Sequence, residues 1–124
     1  FAVSTSGEDR LSRVLFELWT VFLTPELYAV VDLYIAARTD EPLRLALVPV
    51  VTQHRDNLHK EARVLFPEAA ENNPRFEIAV DGILSTLQGA AMSAAVLDDL
   101  SNAAAFAAFL EHVCRRELEP PYGV

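Results

Sequence analysis

GILSTLQGAAMSAAVL, residues 82–97, contains no charged side chain. Helical spacing sorts this stretch and its approach into distinct faces. Val80, Leu84, Leu87 and Ala91 fall on one face and read as a core stripe. Gly82, Thr86, Gly89 and Ser93 fall on the opposite face at i, i+4, i+7 and i+11, and all four are small. A line of small side chains lets another helix backbone approach closely, in water as in a membrane. Each interior glycine costs a helix about 1 kcal/mol relative to alanine, so close packing is the expected compensation. Asp81, Ser85, Gln88 and Met92 form a third line between these faces. A helix packed on two sides in so short a chain predicts a homodimer, with Gly82, Thr86, Gly89 and Ser93 at the seam. A central helix fully buried in a monomer is the alternative.

The rest of the chain reads as helix too, with no strand and no internal repeat. The first segment spans roughly 8–23. Thr5 with Glu8, and Ser6 with Asp9, have the spacing of capping boxes. Its apolar face is Leu11, Val14, Leu15, Leu18, Trp19 and Phe22, widened by Phe16 and Leu23. Thr24-Pro25 is a cap-then-proline start for a second helix over 25–38. Asp32 is the one charge between Leu27 and Ala37, so this second helix is expected to be enclosed on nearly all sides.

Asp40 is the expected cap of a third helix ending near Phe66-Pro67, its core face carrying Leu47, Val51, Leu58, Ala62 and Leu65. Pro49 inside it should kink the helix or free the carbonyl of Leu45. Residues 68–73 read as a loop, and Asn73-Pro74 starts a fourth helix running to about Val96. LDDLSN, residues 97–102, breaks the pattern, and Ser101 or Asn102 caps a fifth helix to about Leu118. Its stripe is Phe106, Phe109, Leu110 and Val113. EPPYGV, residues 119–124, is expected to fray. The fold expected is all-α, a five-helix antiparallel bundle.

Composition narrows the function. The 124 residues are 52% hydrophobic and 23% charged, enough for one cored domain and too ordered for a tail. A net charge of −8 argues against nucleic-acid binding by this stretch itself. The lone Cys114 has no partner for an intramolecular disulfide, which fits a reducing cytoplasm. No unbroken apolar run reaches the roughly 18–20 residues of a membrane span, so no membrane partner is expected. No secretory signal is visible. The opening FAVSTSG has no initiator Met and suggests a fragment of something longer.

Two stretches, LWTVFLTPELYAVVDLYIAARTDEPLRLAL (18–47) and ILSTLQGAAMSAAV (83–96), carry a family pattern. With them the chain resembles the C-terminal regulatory domain of the TetR/AcrR-type transcriptional regulators. The run departs from that pattern where Asp-Glu-Pro shifts Pro42 by one place, and Gln88 stands where Asp is frequent. The resemblance implies an all-helical domain that binds a small molecule in its core. It also implies dimerisation through the last two long helices, which form a four-helix interface using Phe106, Phe109, Leu110 and Val113 beside the small line. Operator DNA would be bound by an N-terminal helix-turn-helix domain outside this chain. Arg38, ending AARTD, lies where the family would contact that domain, and an exposed salt bridge is the equal alternative.

Ligand-binding candidates are polar or aromatic groups on apolar faces. Trp19, Phe22 and Tyr34 either line a cavity or form simple core. Arg55, beside His54 along Val51 and Leu58, either anchors an acidic or carbonyl-bearing ligand or pairs with Asp81. Asp81, Gln88 and Met92 either close a pocket or sit at the subunit seam. The ligand implied is small, hydrophobic or of mixed polarity. His54 and His59 lie about 140° apart around a helix and cannot share a metal as an i, i+4 pair would. No metal or cofactor is expected. There is no phosphate loop, zinc-peptidase motif or nucleophile elbow, so no enzyme is expected. The rivals are a free-standing helical enzyme using Arg55, His54 or Asp81, and a purely structural dimerisation domain.

Overall fold

The computed structural model describes residues 7–97 and 103–123. Those residues form six helices and no strand: α1 Gly7–Phe22, α2 Pro25–Ala37, α3 Glu41–Leu65, α4 Pro67–Asn72, α5 Phe76–Leu97 and α6 Ala103–Leu118. The chain is all-α. Thr5 and Ser6 of the expected capping boxes, and the caps expected at Ser101 or Asn102, lie outside the described residues.

Helix α5 is the hub, packing against α1, α3, α4 and α6. Phe76, Val80, Ile83, Leu87 and Ala91 are buried along its inner side, and Leu84 packs beside them. Leu11 and Val14 of α1 and Leu110, Cys114 and Leu118 of α6 are also buried. Each fully buried aliphatic side chain contributes about 1.5–3 kcal/mol through the water it sheds. Burial pushes the Cys114 thiol up to about 12, which leaves it an inert small hydrophobe. By length and composition α5 is also apolar enough to cross a membrane. Its inner side is committed instead to the protein's own core.

Four expectations need correction. Helix α2 is not enclosed, since Val31 is its one buried side chain and Leu33 and Ile35 stand exposed. It lies against α1 and α3, and its tie to α5 is a long hydrogen bond from Tyr28 Oη to Ala91 O, 3.4 Å. Among the described residues no further helix packs closely on its outer side. Phe16 does not widen the α1 core face, being 70% exposed. The supposed loop 68–73 contains the short helix α4, which starts at Pro67 and buries Ala69. The tail does not fray: Tyr122 packs against the core, and Gly123 N donates to Arg116 O at 2.6 Å. Gly123 has φ +77°, a left-handed geometry that favours glycine, and the Arg75 guanidinium occupies the space a Cβ would need.

The helix starts follow the sequence signals in position but not always in chemistry. Asp40 Oδ1 accepts from Leu43 N at 3.1 Å, an ordinary N-cap. Thr24 is the N-cap of α2 by backbone position, yet its hydroxyl turns back and donates to Val21 O at 2.7 Å. Pro49 sits in an unbroken α3, on an exposed side where water can reach a carbonyl deprived of its partner.

Asn73, between α4 and α5, ties the approach to α5 to the end of α6. Its Oδ1 accepts from Arg75 N at 3.0 Å, and its Nδ2 donates to Glu117 O at 2.8 Å. It is 4% exposed, so both polar atoms depend on these partners. Arg75 adds an ion pair to Glu117 at 2.9 Å. Replacing Asn73 by Ala should lower stability by about 1–3 kcal/mol, because the Glu117 carbonyl loses its side-chain donor and the Arg75 amide its acceptor. Urea denaturation followed by circular dichroism measures this. The exposed Asn72, changed to Ala as control, should shift the midpoint little.

Candidate functional site

The described residues form three apolar hollows around α5 and α6. An inner cavity of about 70 Å³, partly open to solvent, lies among α1, α3, α5 and α6, with Leu15, Leu58, Ala62, Ile83 and Cys114 among its walls. A cleft of about 540 Å³ opens between α1 and α6, lined by Leu15, Phe16, Trp19, Leu87, Phe106 and Leu110. On the far side of α5 and α6, a groove of about 270 Å³ runs over Ile78, Gly82, Thr86, Phe109, Leu110 and Val113. Arg75 and Glu117 also line that groove. The cleft is in the size range of small-molecule sites, about 300–1,000 Å³, whereas the inner cavity holds little more than a water or two.

The expected ligand-binding residues do not form one constellation. Trp19 lines the cleft and Leu58 the inner cavity. Tyr34 and Val51 line a shallow hollow between α2 and α3, and Arg55 a polar one on α3. Phe22, His54, Asp81, Gln88 and Met92 line none of these five hollows. They were grouped by polarity against apolar faces, and that rule cannot tell which helices meet.

Arg55 resolves to the ion-pair alternative. Its Nη2 donates to Asp81 Oδ2 at 2.6 Å with the Arg side chain well exposed, so it is no buried anchor. The other Asp81 oxygen accepts from Nε2 of His59, 2.7 Å away. His59 is 6% exposed, and Asp81 is what satisfies it there. The hydrogen bond from Arg55 holds the Asp81 carboxyl below its ordinary range, with the His59 bond adding to it. Among the described residues no group of His, Cys, Asp and Glu is arranged to hold a metal.

The seam residues divide more cleanly. Gly82, Thr86, Gly89 and Ser93 are all exposed, and a Cβ added at Gly82 or Gly89 would meet nothing within 4 Å. Thr86 Oγ1 donates to Gly82 O at 2.8 Å, so the hydroxyl needs no outside partner. Phe109 is 60% exposed beside them, and Val113 is half-buried. Two assignments change. Leu110 belongs to the chain's own core at 4% exposure and forms the groove floor. Phe106 turns towards α1, its ring 5.8 Å from that of Trp19 at an interplanar angle of 53°. That tilted pair favours the positive edge of one ring against the other's face.

Ser12 and Glu111 at the cleft rim were not among the sequence candidates. Glu111 Oε1 accepts from Ser12 Oγ at 3.1 Å and from Arg115 Nη2 at 2.5 Å. Arg115 Nη1 also donates to Glu119 at 2.7 Å. The i, i+4, i+8 spacing of Glu111, Arg115 and Glu119 was the available signal. No family model, curated protein or solved structure matches the chain.

Replacing Asp81 by Asn should destabilise the fold by leaving buried His59 and exposed Arg55 without their shared charge. Because folding lowers the Asp81 pKa from 3.8, the ionised carboxylate stabilises the native state fully above that value. The difference between the parent chain and D81N should therefore be widest near neutral pH. It should shrink as pH falls through 3.8 towards the lower folded value, as urea midpoints across a pH series will read.

Proposed function

We propose that this chain is the ligand-binding and dimerisation half of a TetR-like transcriptional regulator. The carrying observation is the outer face of α5 and α6. There Gly82, Thr86, Gly89 and Ser93 lie bare beside exposed Ile78 and Phe109. At 22 residues α5 is about 33 Å long, and a two-helix face about 20 Å wide gives an area approaching the ~800 Å² per partner of a standard interface. A second copy related by a twofold axis would bring the two small lines together and complete a four-helix interface.

Ligand entry is assigned to the cleft between α1 and α6, in place of the single cavity expected from the sequence, whose residues lie apart in the structure. The reading rests on α5, α6 and this cleft; the exposed α2 contributes nothing to it. DNA contact would belong to a separate N-terminal domain, with this acidic half carrying no nucleic-acid surface of its own. Small-molecule binding would favour one packing of the helices over another and so alter the spacing of the paired DNA-binding heads. The setting would be cytoplasmic, and the role regulatory rather than enzymatic.

Light scattering at micromolar concentration should give twice the 13.7 kDa chain mass. Gly89→Leu tests the seam with a built-in control. The open space at Gly89 accommodates leucine within one chain, and removing a mid-helix glycine should raise monomer stability by about 0.8 kcal/mol. The variant should thus be well folded and monomeric. A 13.7 kDa mass for the unaltered chain, or a G89L chain that still dimerises, defeats this seam.

A further inference from the structure

We propose that residues 120–123 form a strap that opens and closes over one end of the bundle, its closed state strengthening the α5–α6 seam through Arg75. This rests on the seam proposed above and adds a means of regulating it.

The strap is fastened to three parts of the chain. Tyr122 packs its ring against the core, with the Glu68 carboxylate of α4 near enough to act on its hydroxyl. Gly123 N donates to Arg116 O of α6 at 2.6 Å. The Arg75 guanidinium, just ahead of α5, occupies the space in which a side chain at Gly123 would sit. Pro120 and Pro121 are exposed and have no N–H to donate.

Closure is held by a narrow margin. The bond from Gly123 is the one backbone hydrogen bond that residues 120–123 make among the described residues. Tyr122 Oη is buried and has no hydrogen-bond partner among them. A hydroxyl taken out of water without a replacement bond opposes the burial of its own ring. Burial, with Glu68 adding to it, also pushes the pKa of that hydroxyl up. A phenyl ring would close the strap more firmly. Tyrosine keeps an open state within reach, in which its hydroxyl is hydrated.

Arg75 carries the state of the strap to the seam. Its Nη2 donates to both oxygens of Glu117, at 2.9 and 3.0 Å. Both residues line the groove that runs over Gly82, Thr86 and Phe109. With the strap closed, Gly123 backs the guanidinium and keeps it on Glu117 at the groove. With the strap open, both side chains gain freedom, which a docking second copy must remove at a cost in affinity.

Two neighbouring substitutions should move the strap in opposite directions. Tyr122→Phe removes the unsatisfied hydroxyl and should slow hydrogen exchange of the amide at position 123 about tenfold. Gly123→Ala sets a Cβ against Arg75 at a φ of +77° and should speed that exchange about tenfold. Amide exchange followed by NMR and corrected for intrinsic rates reads both, with the Leu87 amide as the core reference. Sedimentation equilibrium on the same samples should give a dimer Kd about threefold lower in Y122F and about threefold higher in G123A. Exchange at Gly123 as slow as at Leu87, or equal rates in the two variants, overturns the opening of the strap. Dimers of equal affinity in both variants overturn the link and leave the seam standing. A chain that is monomeric at every concentration, its exchange rates still moving in opposite directions, removes the seam and the link and leaves the strap.

Discussion

The structure depends on α5 having an apolar inner side and an opposite side of small residues. Its inner side buries Phe76, Val80, Ile83, Leu87 and Ala91 and gathers α1, α3, α4 and α6 around them. Its outer side keeps side chains small and leaves the backbone within reach of a neighbour. A chain that wanted only a soluble surface there would place Lys, Glu or Arg on it, at no cost in helix propensity. Glycine, serine and threonine at these positions weaken the isolated helix, so a surface of this composition makes physical sense where something packs on it.

Polar ties fix how the helices sit on this hub, and they cluster at its N-terminal half. Asn73, Arg75 and Glu117 fasten the start of α5 to the end of α6. Asp81 with Arg55 and His59, and Glu77 with Arg63, fasten it to α3. Among the described residues, the C-terminal half of α5 is held by apolar contact with α1 and α6 and by the long Tyr28 bond. Directional bonds thus register one end of the bundle while looser packing surrounds the cleft at the other, where Trp19 and Phe106 meet.

Local signals in the sequence located most of the helix starts, although the short helix α4 was read as a loop. The α5 stripe, the Asp40 cap, the Thr24-Pro25 break and the Asn73 start all depend on side chains within a few residues of one another. The Asp81–Arg55 pair was legible as one of two alternatives, since burying a lone carboxylate is costly. What the sequence did not disclose is what each apolar face meets. Helix α2 has the composition of an enclosed helix but lies at the edge of the chain's own fold. Tyr122 looks like part of a loose tail and instead packs on the core. The cleft escaped notice because Trp19, Phe106 and Glu111 are brought together only by the pairing of α1 with α6, about 90 residues apart in sequence.

Leu110 lines both the cleft and the groove, and Ile83 both the inner cavity and the groove. Leu110 and Ile83 thus each stand between hollows on different sides of α5 and α6. Well-packed aliphatic side chains settle in discrete rotamers rather than yielding smoothly. A change of rotamer at Leu110 would therefore alter the cleft and the groove together, and one at Ile83 the inner cavity and the groove.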